Sequence, residues 1–244
     1  MALALQAQDH DENAPAAITP FTGINYVRVV FHKKVLVAGA TAFKAVISAP
    51  DGKTLWQGSV QPVPADNEGG QYLSFTISNL KPVLWTPARP YLYNISFQQI
   101  SKGVVKKTLK ERVGFRSFER KGGNLYLNGK PIFLRGIAIN PPGRGIPSAL
   151  EKSRAFALEY VRYMKSIHVN IIRIPDAEAW YDVCDELGMM VFGGNYSGKV
   201  AGGEKVKAEA KVSDETDGGF PSDYDRGVEW YENEKLGPIA HHPS

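Results

Sequence analysis

The stretch 122–140, GGNLYLNGKPIFLRGIAIN, divides two kinds of sequence pattern and so limits what the chain can fold into. Before it, short alternating segments are punctuated by proline and glycine turns. After it, strand-like and helix-like patterns take turns, so a β-sandwich hands over to an α/β unit. Within the stretch, Tyr126 and Leu127 run into Asn128-Gly129, a tight-hairpin signal between apolar segments. Pro131 then precedes Ile132, Phe133 and Leu134. Beyond Arg135 and Gly136, Ile137, Ala138 and Ile139 have the composition of a buried strand of a parallel sheet.

At 43% hydrophobic and 22% charged residues, the 244-residue chain is composed like an ordinary globular protein with room for two small domains. A net charge of +4 is mild, and the lysines are scattered or lie on strands such as 104–112, which argues against a nucleic-acid surface. No apolar run reaches the ~18 residues of a membrane helix. The opening MALALQAQDHDENAPAAITP has a short apolar patch with no basic region before it, so 1–21 reads as a disordered leader rather than a signal peptide. A longer parent protein would still be compatible with a periplasmic or secreted location, and the compartment is left open. The single cysteine, Cys184, excludes an internal disulfide.

From residue 22 to 118 the period is two. Leu73, Phe75 and Ile77 alternate with Ser74, Thr76 and Ser78, and Tyr91, Tyr93, Ile95 and Phe97 with Leu92, Asn94 and Ser96. Pro50-Asp51-Gly52 separates strands expected at 42–48 and 54–60. About seven strands over this length predict an immunoglobulin-like sandwich without its disulfide. After residue 140, Ser148 with Glu151 forms a capping-box pattern for a helix whose apolar stripe is Ala157, Val161 and Met164. A strand at 170–175, a helix at 179–187 stopped by Gly188, and a strand at 189–192 complete a βαβαβ order with right-handed crossovers. The polar, glycine-rich 202–225 reads as an exposed loop, and 224–239 as a last helix.

Several blocks carry a family resemblance. Gly114-Phe115-Arg116, Leu127-Asn128-Gly129-Lys130-Pro131 and Leu134-Arg135-Gly136 together resemble the sandwich-to-barrel junction of glycoside hydrolase family 2, the β-galactosidases, β-glucuronidases and β-mannosidases. Leu84-Trp85-Thr86-Pro87 is similar to that family's tryptophan–proline segment. Met164-Lys165, Asn170 to Arg173, Trp180-Tyr181-Asp182 and Cys184 to Gly188 look like the first turns of its (β/α)₈ barrel. The ending His241-His242-Pro243-Ser244 resembles the block before its fourth barrel strand. The resemblance therefore implies an immunoglobulin-like sandwich at 22–118 followed at 119–244 by the N-terminal part, strands 1–3, of a TIM-barrel catalytic domain. Such an enzyme hydrolyses O-glycosyl bonds with retention, using two glutamates ~5–5.5 Å apart and no metal or organic cofactor. Both glutamates belong to later strands, so the resemblance implies no catalytic carboxylate in this chain.

Barrel sites are built at the C-terminal ends of the strands. Arg173 interrupts the run Ile171-Ile172-Arg173-Ile174 and matches the family's active-site arginine on the second strand; an ion pair within the fold is the alternative, since a buried guanidinium demands an anionic or hydrogen-bonding partner. Asn140, Asp176, Asn195 and Tyr196 follow the ends of the three strands and are candidates to line a sugar site, with loop-turn roles as the alternative. The expected ligand is an oligosaccharide or polysaccharide. The loops after these strands depart from the family's better-known members, so the sugar is not assigned.

The remaining polar clusters read as structural. Asn233-Glu234 lies in a helical stretch, and Asp182, Asp185 and Glu186 read as a charged outward face rather than a metal cluster. His241 and His242 are adjacent and have no third ligand at a helpful spacing. Cys184 falls among apolar helix positions, and Trp85 is expected to cover an open end of the core, with sugar stacking the alternative. A non-catalytic carbohydrate-binding or structural fragment is the rival reading. The sandwich is expected to resist protease as its own core, while the part after Arg120, with an open sheet, needs the other barrel half or another copy of the chain.

Overall fold

The computed structural model describes residues 17–65, 71–138, 150, 152–174 and 177–192. Eight strands form two antiparallel sheets: β1 Thr19–Thr22, β2 Val27–His32, β3 Ala42–Ser48, β4 Thr54–Ser59, β5 Val63–Pro64, β6 Tyr72–Ile77, β7 Tyr93–Ser101 and β8 Val104–Val113. Their orders are β1-β2-β6-β5 and β4-β3-β7-β8. Period-two patterning puts Val27, Val29 and Phe31 of one sheet against Ala45, Ile47, Tyr93, Ile95 and Phe97 of the other, all buried. Phe97 is central, with ring centroids 5.0 Å from Phe31, 5.2 Å from Phe75 and 5.6 Å from Phe43. The fold of this half is a β-sandwich.

The start of the sandwich differs from the sequence reading, and one inward position is polar. Ile18 is buried in this core and β1 begins at Thr19, so the first strand starts inside the stretch assigned to the leader. Gln99 continues the inward face of β7 and is fully buried. Its amide accepts from the backbone N of Val37 (2.6 Å) and donates to the carbonyl of Val35 (3.0 Å), which removes the cost of burying it. The turn at Pro50-Asp51-Gly52 forms as expected: Gly52 takes φ +84°, and Asp51 accepts from the backbone N of Lys53 at 3.1 Å.

The dividing stretch folds as a small meander. β9 Phe118–Lys121, β10 Asn124–Leu127 and β11 Lys130–Pro131 pair in the order β11-β10-β9. Asn128 and Gly129 both have positive φ, +53° and +74°, the geometry of the two-residue turn that Asn-Gly favours. The Asn128 carboxamide also accepts from the backbone N of Ser117 (2.9 Å) and donates to the carbonyl of Trp85 (2.9 Å), pinning the hairpin to the sandwich. Asn128→Ala leaves both groups without this partner, and a loss of about 1–3 kcal/mol is expected from urea unfolding.

The second hairpin arm does not become a long buried strand. β11 stops at Pro131, which has no N–H for the ladder, and β12 covers only Gly136–Ala138. Among the described residues β12 has one strand neighbour, and its three residues are exposed, Ile137 at 43%. An edge position with one partner explains why the apolar composition does not translate into burial.

The α/β unit then follows the expected order. Helix α1 Arg154–Ser166, β13 Ile171–Arg173, helix α2 Glu178–Leu187 and β14 Met190–Val191 make a parallel sheet in the order β12-β13-β14. The cap of α1 is Ser153, whose hydroxyl accepts from the backbone N of Phe156; the predicted capping residues Ser148 and Glu151 lie outside the described residues. Ala157, Val161 and Met164 are buried as the stripe requires. They pack with Ile172, Trp180, Val183 and Cys184 into a second core. α2 ends at Gly188 in the left-handed conformation, φ +72°. Asn170 stitches β12 to β13, its side chain accepting from Arg135 N (2.8 Å) and donating to Phe133 O (2.9 Å).

Candidate functional site

Because β12, β13 and β14 are parallel, their C-terminal ends lie at one end of the sheet. Ile172 is buried against the helices and Ile174 packs on the same cluster, so alternation turns Arg173 to the opposite face. There it is half-buried and pairs in register with Ala138. Of the five candidate sugar contacts, Arg173 alone is among the described residues; Asn140, Asp176, Asn195 and Tyr196 lie outside them. So do Asn233, Glu234, His241 and His242. Among the described residues no group of three His, Cys, Asp or Glu side chains is placed to hold a metal ion, and no helix is long and apolar enough to cross a membrane.

Two residues with open alternatives are settled by burial. Trp85 is fully buried, with its indole N–H donating to the carbonyl of Asp185 at 3.0 Å and its backbone N to Phe115 O at 2.8 Å, so its ring offers no face to a sugar. Cys184 is fully buried as well. Burial pushes its thiol far above the ordinary range, which removes it as a nucleophile.

The charged residues of α2 require a correction. Asp182, Asp185 and Glu186 do not form a solvated outward face; they meet the sandwich. Arg112, near the end of β8, pairs with Asp182 and with Glu186 (2.7 Å), and Arg154 of α1 takes the other oxygen of Glu186 (2.7 Å). Asp185 is only 3% exposed. Burial opposes the charge of Arg112, but Asp182 and Glu186 outweigh it and hold the guanidinium above its ordinary value. Arg116 lies 5.5 Å from the centroid of the Trp85 ring; burial draws its pKa down to about 10, with Asp185 opposing, so it stays charged at neutral pH. Lys165 of α1 donates to the carbonyls of Pro87 (2.7 Å), Leu187 and Gly188 (3.2 Å), closing the C-terminal end of α2. One sequence signal pointed here: acids at 185 and 186, next to a helix C-terminus, are out of place unless cations come from elsewhere.

The family model described as "Glycosyl hydrolases family 2" matches residues 27–116, the sandwich. A β-galactosidase of Thermoanaerobacter pseudethanolicus is 32% identical over 119 residues, 46% of this chain and 15% of that protein. A β-galactosidase of Pseudoalteromonas haloplanktis is 29% identical over 184 residues, 71% of this chain and 18% of that protein, so the similarity runs on past the sandwich. Among solved structures, a β-glucuronidase of Bacteroides uniformis superposes with a TM-score of 0.52 at 26% identity, covering 71% of this chain and 22% of that one. A glycosyl hydrolase family 2 member from Bacteroides cellulosilyticus, at 19% identity, shares the fold with a TM-score of 0.59 over 94% of this chain and 29% of its own. The match to the glycoside hydrolase family 2 model lies on the sandwich, and the similarity to enzymes of that family covers a part of their length. The chain spans 15% and 18% of the lengths of the two β-galactosidases named above.

Proposed function

We propose that this chain is the immunoglobulin-like sandwich and the first three βα units of the (β/α)₈ barrel of a retaining β-glycosidase, with 22–118 and 119–244 as the two domains. The observation that carries this reading is continuity. A family-matching sandwich at 27–116 leads through the β9–β11 meander into a parallel βαβαβ sheet, with Arg173 on the face turned away from the helices. The strand orders β1-β2-β6-β5 and β4-β3-β7-β8 agree with the ABED and C′CFG sheets of an immunoglobulin-like sandwich. In a barrel, the face bearing Arg173 points inward and its C-terminal end forms the substrate side. There a guanidinium donates planar, charge-assisted hydrogen bonds to sugar hydroxyls or to a uronic-acid carboxylate. Asn140, Asp176, Asn195 and Tyr196 follow the same strand ends and are proposed as further contacts to an oligosaccharide or polysaccharide. Protonation of the leaving oxygen and attack on the anomeric carbon fall to carboxylates of later strands.

The test is turnover on a panel of aryl β-glycosides. The purified chain alone is expected to show none, since removing essential catalytic groups costs several orders of magnitude. Co-expression with a polypeptide carrying the later five βα units of a family 2 barrel is expected to restore it. In that assembly Arg173→Ala should lower kcat/KM by about 10²-fold, the effect of losing one preorganised donor. Turnover by the chain alone that survives repurification and disappears in Asp176→Asn or Glu178→Gln would overturn the assignment.

A further inference from the structure

Helix α2 breaks the rules for a helix that stands by itself. It has ten residues, short enough to be marginal in water. Its N-cap, Ala177, makes no side-chain hydrogen bond, and its last turn holds Asp185 and Glu186 with no basic residue, where the helix dipole favours cations. The partners of its acids and of its C-terminal carbonyls come from outside the helix. Arg112 of the sandwich holds Asp182 and Glu186, the Trp85 indole binds the carbonyl of Asp185, and Lys165 closes the carbonyls of Leu187 and Gly188 while also gripping Pro87 of the sandwich.

We propose that α2 is a conditional helix, ordered by docking on the cationic rim of the sandwich, and that Arg112 is the latch through which the sandwich controls whether the α/β unit is folded. Sequence features that violate local preference mark such dependence, because the compensation lies in the partner surface. The consequence reaches the parallel sheet, since β14 follows α2 directly and Met189 N bonds back to the carbonyl of Cys184 (2.9 Å).

Hydrogen exchange read by mass spectrometry on the whole chain tests the latch. Arg112→Glu is expected to speed exchange of the amides of 178–191 by about tenfold or more while β3 and β7 keep their protection, because breaking a part-buried pair leaves its acids uncompensated. Adding Asp182→Arg to that variant should recover much of the protection. Unchanged exchange in 178–191, or no recovery in the charge-reversed pair, would overturn the proposal. A second measurement needs no variant. Raising NaCl from about 20 mM to 0.5 M should accelerate exchange in 178–191 well before β3 and β7 respond. Equal salt responses in the two regions would also overturn it.

Discussion

Replacing Trp85 with alanine is expected to lower the stability of the chain by about 3–5 kcal/mol, the range for deleting a buried large aromatic side chain. The ring is fully buried and the residue serves several neighbours at once. Its indole N–H goes to Asp185 on α2, its carbonyl takes the Asn128 amide, its backbone N reaches Phe115, and the Arg116 guanidinium lies over its face. The substitution opens a cavity, leaves the Asp185 carbonyl without this donor and frees Arg116 from its stacking partner. Urea unfolding followed by far-ultraviolet circular dichroism would show a large drop in midpoint. Trp85→Phe should recover most of the packing term but not the hydrogen bond. Equal losses in the two variants would mean that the indole N–H, not the volume, carries the effect.

The second large effect is expected at Gly188. Its φ of +72° is a conformation that side chains with a Cβ adopt at a cost, and a Cβ built there falls 2.5 Å from the carbonyl oxygen of Pro87, well inside contact distance. Backbone strain and overpacking each contribute about 1–3 kcal/mol, so Gly188→Ala should destabilise the chain by about 2–5 kcal/mol. Because the obstructing atom is backbone, relief requires the sandwich turn and the end of α2 to move apart. The substitution is therefore expected to increase proteolysis at the junction as well as to shift the urea midpoint. An alanine variant with wild-type stability would show that α2 ends differently in solution.

The elements with a local cause were legible in the sequence. Strict alternation located the sandwich strands, Asn128-Gly129 located the hairpin, and Gly188 ended α2 where a C-terminal glycine should. β1 was missed at its start because Ile18-Thr19-Pro20 is too short a segment to show a period. Within the described part of the 132–139 run, 132–138, the expected burial is missing because composition reports what a strand could bury, not whether a neighbour is present to bury it. The junction was missed for a different reason. Arg112 looks like one more cation on a lysine-rich strand, and Asp182 lies 70 residues away, so their pairing is a property of the fold and not of any local window. At the candidate site, a charged residue inside the apolar run Ile171-Ile172-Arg173-Ile174 was enough to single out Arg173.

The turn at Asn128 also affects how the molecule ages. An Asn-Gly step is where a backbone nitrogen most readily attacks the preceding carboxamide, closing a succinimide that reopens to aspartate or isoaspartate. Here that carboxamide is committed in both directions, accepting from Ser117 and donating to the Trp85 carbonyl, so its carbon is held by bonds that must break before the ring can close. Deamidation at this site is thus gated by opening of the hairpin. Once it occurs it cannot be undone by refolding, because ring closure expels the side-chain nitrogen as ammonia; the carboxylate left at position 128 then has no hydrogen to give and would face the Trp85 carbonyl oxygen with like charge. The slow chemistry of one side chain records how often this hairpin has lifted from the sandwich.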